Sequence, residues 1–332
     1  MSISVAELIA AAQDPAWADE QRDGEHLTID LEGAPELTPE DLARLERWLH
    51  ALPIPVIGIS AEGGAREDEL ASLMDVLTGS EDELQSIVSG IEANPEAAAV
   101  LVQVLRSTAA MDVIQALTVE SLAYATLQSG AEFAGWLAAR RQQKHARVLA
   151  GGDDLLLLER QDSELRLVLN SPASRNSLSA AMRDALSQAF RLVAMDPGIE
   201  TVRVAGNGPN FCAGGDLEEF GLLENPAAAH GIRMLRMPAR YLAPEAGRYH
   251  FYVHGACIGA GIELSAFAAD LTAAADATFR LPEVGMGLIP GAGGCVSIPR
   301  RIGRQRTALM ALTGRPVGAE EALAWGLIDQ IS

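Results

Sequence analysis

Two carboxylates in otherwise apolar sequence are the strongest candidates for chemistry in this chain. Glu263 falls in the first turn of a predicted apolar helix, and Glu283 lies between Leu281-Pro282 and the glycine-rich run that begins at Val284. Burial in such surroundings raises the pKa of a carboxyl group, which suits general acid–base catalysis. Each acid also has a plainer interpretation, because a helix dipole favours an acid in its first turn and a loop acid can pair with an arginine.

Two turns rich in small residues could supply a second kind of catalytic group. The first runs Phe211-Cys-Ala-Gly-Gly-Asp216 after a predicted strand, and the second runs His254-Gly-Ala-Cys-Ile-Gly-Ala-Gly261 into the helix of Glu263. Small residues let backbone N–H groups approach a ligand closely, and the N–H groups that begin a helix bind an oxyanion. Such glycines can equally do no more than form turns, and the residues alone leave that alternative open.

Several other chemistries are excluded by residue type. Lys144 is the only lysine and does not follow a glycine, so the chain has no P-loop. The six histidines contain no H-E-x-x-H pair and predict no metal site. The closely spaced glycines at 259–261 and 285–287 do not extend to G-x-G-x-x-G, so no dinucleotide site is predicted. We therefore expect chemistry by carboxylates and backbone dipoles, with no metal and no cofactor.

The charge of the chain is strongly negative and unevenly distributed. The 45 acidic and 25 basic residues give a net charge of −20. Residues 1–150 carry −16 of it and residues 151–332 carry −4, with 16 arginines in the second part. Nucleic acid and anionic membranes need a basic surface, so neither is an expected partner. The N-terminus has no basic region of a signal peptide, no long uncharged apolar stretch occurs, and three unpaired cysteines predict a reducing compartment, so we expect a soluble cytoplasmic protein.

The elements that must position these groups divide the chain into three parts. Residues 1–76 predict strands over 26–31 and 53–60 with a helix from Pro39 to about Leu52 between them, capped by Thr38. Residues 77–150 predict four helices and no strand. Residues 151–332 predict a hairpin and then alternating strands and helices, which favours an α/β core. The same part contains both glycine-rich turns and both candidate acids.

The order of motifs in residues 151–332 resembles the enoyl-CoA hydratase/isomerase (crotonase) family. The matching segments are Ser174–Ser179, Phe211–Leu217, Gly259–Glu263, Leu281–Gly294 and Leu312–Asp329. The resemblance implies a twisted core of repeated ββα units. It also implies assembly as homotrimers or dimers of trimers. We therefore expect a crotonase-like core with an added N-terminal partial α/β unit and a helical segment.

The resemblance also implies a substrate and a set of site residues. The family binds acyl-CoA thioesters and stabilises an enolate with two backbone N–H groups, which motif matching assigns to Ala213 and Ala260. Hydratases carry two acids, which match Glu263 and Glu283 and which activate water at Cβ and transfer a proton at Cα. The remaining implied substrate contacts are Ala173, Arg175, Gly214, Gly215, Asp216, Gly259, Gly261 and Pro290. Coenzyme A enters this scheme as part of the substrate.

Two departures from the family pattern bear on the architecture. Family chains usually continue past the equivalent of Asp329 into helices that cover the acyl site, whereas this chain stops at Ser332. Residues 81–141 look like that C-terminal helical region, and residues 26–60 look like a shortened N-terminal half of the family. We interpret this as an ancestral tandem or permutation in which a decayed first copy donates its helices to the core of the second.

Three functions remain open from the sequence. The first is an enoyl-CoA hydratase, a lyase of fatty acid metabolism, which the retention of both acids favours. The second is an enoyl-CoA isomerase, which usually needs only one acid, or other enolate chemistry of the crotonase type. The third is a non-catalytic partner subunit that binds acyl-CoA. Its weak support is the decayed N-terminal half and Ala260, where the family commonly has glycine.

Overall fold

The structure is a computed structural model that describes residues 2–14, 25–66, 68–142 and 154–332. Within these ranges the chain forms three sheets with helices packed around them, which confirms the predicted α/β organisation. Also within these ranges, no helix combines the length and apolarity that crossing a bilayer requires.

The N-terminal part is a small parallel sheet with the strand order β1-β2-β3-β4. The sequence predicts two of its strands and one helix, and that helix begins with a capping box in which the Thr38 and Asp41 side chains each bond to the other residue's backbone N–H. The first and last strands are too short for a sequence pattern. The elements are β1 (Ser2–Ser4), α1 (Val5–Ala11), β2 (Leu27–Asp30), α2 (Pro39–Ala51), β3 (Val56–Ile59), α3 (Glu69–Ser72) and β4 (Val76–Thr78).

Four helices follow, as the sequence predicts. Ser80 and Asp112 begin the first and third of them by accepting the backbone N–H groups of Glu83 and Ile114. The last five residues of the predicted fourth helix, 143–147, lie outside the described ranges. The helices are α4 (Glu81–Ala93), α5 (Pro95–Thr108), α6 (Val113–Gln128) and α7 (Ala131–Gln142).

Residues 154–332 form two further sheets. The strands are β5 (Leu156–Gln161), β6 (Glu164–Leu169), β7 (Thr201–Gly206), β8 (Tyr249–Val253), β9 (Ala256–Ile258), β10 (Asp270–Ala273), β11 (Thr278–Arg280), β12 (Val317–Gly318) and β13 (Gln330–Ile331). The larger sheet has the order β13-β10-β8-β7-β6-β5, and among the described residues only the predicted hairpin β5-β6 pairs antiparallel within it. The smaller sheet has the order β12-β11-β9 and carries the second glycine-rich turn at the end of β9.

Six helices complete this part of the chain. They are α8 (Ala180–Met195), α9 (Pro226–Arg236), α10 (Ala239–Leu242), α11 (Ala260–Ser265), α12 (Gly294–Thr313) and α13 (Ala319–Trp325). The sequence predicts a single helical stretch over 227–242, but the structure splits it into α9 and α10. Met237 is extended there because it precedes Pro238, whose ring disfavours helical backbone in the preceding residue.

The helical segment packs directly on the C-terminal core of its own chain. Helices α4, α5 and α6 all contact α12, and one continuous hydrophobic core includes Ile91 and Leu101 from the segment with Leu312 from α12. Helices α4 and α12 approach closely at Gly90, where a Cβ atom would lie 1.9 Å from the carbonyl oxygen of Leu312. A side chain at this position would therefore force the two helices apart.

A buried carboxylate joins all three parts of the chain. Asp75 is 2% exposed and accepts the Nε–H of Arg106 on α5 at 2.8 Å and an N–H of Arg304 on α12 at 3.0 Å. It also accepts the backbone N–H of Val56 at the beginning of β3 at 2.8 Å. Both guanidinium groups are largely shielded from water, so solvent compensates little of their positive charge. The single carboxylate of Asp75 compensates it instead.

We predict that Asp75→Asn destabilises the protein by about 3–5 kcal/mol, because it leaves the buried Arg106 and the half-buried Arg304 without a counter-charge. The measurement is the free energy of unfolding from a urea titration. The control is Glu40→Gln, which removes an exposed pair with Arg44 and should cost no more than about 0.5 kcal/mol. Equal stability of the two variants would show that Asp75 does not join the parts.

Candidate active site

Both candidate acids and both glycine-rich turns border one cavity of about 230 Å³. Gly215 from the first turn and Ala260 from the second lie in its wall together with Glu263 and Glu283. Further parts of the wall come from the beginning of α8, from residues 219–223, from α9, from residues 291–292, and from α6 and the residues that follow it. The structure thus brings together the groups that the sequence singles out one by one, and it adds a wall from the helical segment.

Glu263 is held at the bottom of this cavity by backbone donors. It is 2% exposed, and its Oε2 atom accepts the N–H groups of Ala292 at 2.7 Å and Gly294 at 2.9 Å. Burial raises the pKa of Glu263 to about 7, and the two N–H groups oppose that rise because they favour the ionised form. The carboxyl group can therefore gain or lose a proton near neutral pH.

Glu283 has fewer partners than Glu263. Its Oε2 atom is buried and has no hydrogen-bond partner among the described residues. Burial raises the pKa of Glu283 well above its usual range, and the nearby Glu263 carboxylate raises it further. With no donor to stabilise its charge at Oε2, Glu283 holds a proton more firmly than Glu263 does.

The first glycine-rich turn corrects one of the sequence-based assignments. The N–H of Ala213 does not point to the cavity, because it donates to the carbonyl oxygen of Arg175 at 3.0 Å. Two residues later, Gly215 lines the cavity, and its N–H has no acceptor among the described residues. Leu178 bonds to the residues on either side of it, accepting from Asp216 and donating to Gly214. In this bridge the N–H of Gly215 is directed away from Leu178 and takes no part in the hydrogen bonds.

The second turn places Ala260 at the wall of the cavity. Ala260 is the first residue of α11, so its N–H has no acceptor within the helix. Gly259 makes the turn with a φ of +49°, and a Cβ atom there would lie 2.5 Å from Oε1 of Glu283. Gly261 is also tightly packed, since its Cβ would lie 2.9 Å from the carbonyl oxygen of Cys212. A side chain at either position would collide with these atoms, so the turn needs glycine at both positions.

The other predicted substrate contacts are only partly brought to the cavity. Asp216 lines it, whereas Ala173 and Arg175 are exposed on the neighbouring turn outside it. Gly214 is buried behind the wall with a φ of +92°. Pro290 is likewise buried, and the wall at this point is formed by Gly291 and Ala292.

Glu120 is a third buried acid that the sequence analysis does not identify. It lies on α6, is 2% exposed, and accepts the N–H of Gly293 at Oε1 and the N–H of Cys295 at Oε2, each at 2.8 Å. These donors alternate with the two that bond to Glu263. Burial raises the pKa of Glu120 well above its usual range, and the Glu263 charge raises it further. The turn that holds Glu263 is therefore fixed by the helical segment.

Tyr124 and Arg233 complete the far wall and were also not predicted. The Arg233 guanidinium lies over the Tyr124 ring at 4.5 Å from its centroid, and both residues border the cavity. The same ring packs against Gly291, where a Cβ atom would lie 2.3 Å from a ring carbon. Helices α6 and α9 thus meet over the turn that follows Pro290.

Comparison with known proteins gives a consistent set of similarities. Residues 159–332, 174 of the 332, match the family model described as enoyl-CoA hydratase/isomerase. The chain is 32% identical over 178 residues to the 2,3-dehydroadipyl-CoA hydratase of Escherichia coli (strain K12), covering 53% of this chain and 68% of that protein. It is also 32% identical over 184 residues to the enoyl-CoA isomerase/hydratase fer4 of Mycosarcoma maydis, covering 50% and 64%.

A solved structure supports the same fold. An enoyl-CoA hydratase/isomerase from Marinobacter aquaeolei superposes with a TM-score of 0.50 at 26% sequence identity, covering 54% of this chain and 70% of that chain. The crotonase-like core that the motifs imply is therefore confirmed. The family model covers only residues from 159 onward, so the similarity it reports does not extend to the N-terminal sheet or the helical segment.

We predict opposite effects on stability for the same chemical change at two of the acids. In Glu263→Gln the amide oxygen can accept both N–H groups that now share Oε2. At pH 8, above the pKa of about 7, the change also removes a buried charge, so the variant should be at least as stable as the wild type. In Glu120 the two N–H donors bond to different carboxylate oxygens. In Glu120→Gln one of these N–H groups therefore faces the amide NH2 group, which cannot accept it.

The difference between the two variants is the quantity to measure. A buried donor left without an acceptor costs about 1–3 kcal/mol, so Glu120→Gln should be less stable than Glu263→Gln by that amount at pH 8. Urea titrations of both variants and of Glu92→Gln, an exposed acid on α4, give the comparison. Equal stability of the first two variants would contradict the arrangement of the four donors.

Proposed function

Because the chain belongs to the enoyl-CoA hydratase/isomerase family, we propose that it is an enoyl-CoA hydratase that adds water across the double bond of a 2-enoyl-CoA thioester. The observation that carries this proposal is the pair Glu263 and Glu283 in one cavity beside two backbone N–H groups. Water addition needs a base at Cβ and an acid at Cα, whereas moving a double bond needs one proton carrier. The paired acids therefore favour hydration.

We assign the thioester oxygen to the N–H groups of Gly215 and Ala260. Both residues border the cavity, and neither N–H has an acceptor among the described residues. Two donors aimed at an oxygen on which charge develops stabilise the enolate more than the starting thioester. Gly215 takes the place in this scheme that the sequence analysis gives to Ala213, whose N–H is already used by Arg175.

The different surroundings of the two acids suggest how they divide the work. Glu263, whose charge is stabilised by two N–H donors, takes a proton from water as the oxygen bonds to Cβ. The electron pair of the double bond moves toward the thioester to give the enolate. Glu283, which retains its proton more firmly than Glu263, then donates that proton to Cα. Afterwards Glu263 holds a proton and Glu283 has lost one, so a proton transfer through solvent restores the pair. The scheme needs no metal and no cofactor.

We predict that Glu283→Gln and Glu263→Gln each lower the rate of hydration by about 10²- to 10⁴-fold, which is the usual contribution of a well-placed acid or base. The assay is the loss of ultraviolet absorbance of the conjugated thioester with a panel of 2-enoyl-CoAs. Acyl-CoA binding, measured by calorimetry, should survive in both variants. Glu200→Gln, an exposed acid of the same core, is the control.

The same panel separates the competing functions. Full activity in both variants would overturn the assignment of the acids. Conversion of 3-enoyl-CoA to 2-enoyl-CoA without hydration would favour the isomerase. A silent panel together with tight acyl-CoA binding would favour a non-catalytic partner subunit.

We predict a bell-shaped pH dependence of kcat/KM. The rate should rise as the pH passes about 7, because Glu263 must lose its proton to act as a base. It should fall again at higher pH, because Glu283 must keep its proton to act as an acid and its pKa is raised well above the usual range. A kcat/KM that stays constant from pH 5.5 to 9.5 would contradict this division of roles.

A further inference from the structure

Arg233 places a cation in the wall of the active-site cavity. It lies on α9, borders the same cavity as Glu263 and Glu283, and is partly buried. Its guanidinium donates from Nε to the Ser121 hydroxyl at 3.0 Å, and from its two terminal nitrogens to Gln128 Oε1 at 3.0 Å and the Ser121 carbonyl at 3.2 Å. All three acceptors are uncharged and lie on α6.

The charge of Arg233 has no carboxylate partner within 4.0 Å in the described parts of the chain. Glu120 is the carboxylate whose charge acts on it, but both Glu120 oxygens accept backbone N–H groups from the turn at 293–295. Arg106 and Arg304, by contrast, are both paired with Asp75. A guanidinium in a cavity without a counter-ion is an environment that attracts an anion.

The guanidinium is also preorganised for a ligand. The Tyr124 ring supports one of its faces, and the Ser121 hydroxyl that accepts its Nε–H is itself within hydrogen-bond distance of His230 at 2.9 Å. Three of the five N–H groups of an arginine are used in these contacts, which leaves one on each terminal nitrogen. Such a pair matches the two oxygens of a carboxylate.

Much of the cavity wall that Arg233 borders is apolar. Its apolar side chains include Phe133, Phe220, Leu223, Ile232 and Met237. They suit the methylene groups of an acyl chain, whereas a cation among them does not suit a methyl terminus. Building on the proposed function, we propose that Arg233 binds a terminal carboxylate of the acyl group. The substrates are then 2-enoyl-CoA thioesters of dicarboxylic acids.

The test compares substrates that differ only at the acyl terminus. A series of 2-enoyl-CoAs of five to eight carbons is assayed, each with a terminal carboxylate or a terminal methyl group. At its best chain length, the wild type should prefer the acidic substrate in kcat/KM by roughly 10- to 100-fold, which is the usual worth of a hydrogen bond between charged groups. Arg233→Gln should abolish the preference and Arg233→Lys should retain part of it.

The ratio of the two rates is the readout, because a general loss of folding or activity lowers both together. Arg236→Gln is the matched control, since Arg236 lies on the same helix but is exposed and paired with Asp184. A wild type that prefers the uncharged substrate, or an Arg233→Gln variant that keeps the preference, would overturn the proposal. So would an equal loss on both substrates, which would show that Arg233 only braces α6 against α9.

Binding of saturated acyl-CoAs separates this proposal from the proposed hydration. Calorimetry with the six-carbon acid and its uncharged counterpart should show the same preference, dependent on Arg233, because binding needs no chemistry. If that preference is present while no 2-enoyl-CoA is hydrated, the hydratase assignment fails and the role of Arg233 stands. If hydration proceeds with no preference in either assay, the hydratase assignment stands and the proposed role of Arg233 fails.

Discussion

Four successive backbone N–H groups at the beginning of α12 are the constraint on which the site depends. Those of Ala292 and Gly294 bond to Glu263, and those of Gly293 and Cys295 bond to Glu120. A helix leaves its first N–H groups without acceptors and carries partial positive charge at that end. Buried donors of this kind need acceptors, and two carboxylates supply them from opposite sides. The position of Glu263 in the cavity follows from this arrangement.

The arrangement makes the helical segment part of the active site. Glu120 and Tyr124 belong to α6, which lies outside the region that the family model matches. Residues 159–332 alone would leave the donors of Gly293 and Cys295 without acceptors and would open the cavity on the side of Tyr124. This dependence agrees with the proposal that an N-terminal copy donates helices to the core. It also explains why Gly90 allows the segment to approach α12 so closely.

The buried carboxylate of Asp75 and the buried carboxyl groups of the cavity have different surroundings. Asp75 is surrounded by two guanidinium groups, so its charge is compensated and it joins parts of the fold. Glu263 has two backbone donors and Glu283 has no partner at Oε2 among the described residues, and the pKa values of both acids are raised mainly by burial. An acid with a raised pKa contributes most stability below its ordinary pKa and loses that contribution as the pH rises through the raised value. The cavity therefore costs stability at neutral pH, and this same cost makes proton transfer there feasible.

Local signals predicted the fold well, because caps, the hairpin and the motif order are properties of neighbouring residues. The individual N–H directions were not predictable in this way. Ala213 and Gly215 lie in the same turn, and only the Arg175 carbonyl, more than thirty residues earlier in the chain, decides which N–H remains open. Arg233 likewise resembles Arg236 in sequence, and only the packing of α6 against α9 distinguishes them. Glu120 did have a signal, since it is the one charged residue in the apolar sequence Val113–Gln128. The criterion that identified Glu263, an isolated acid in an apolar helix, applies to Glu120 equally well, so it finds acids that hold a site as readily as acids that react.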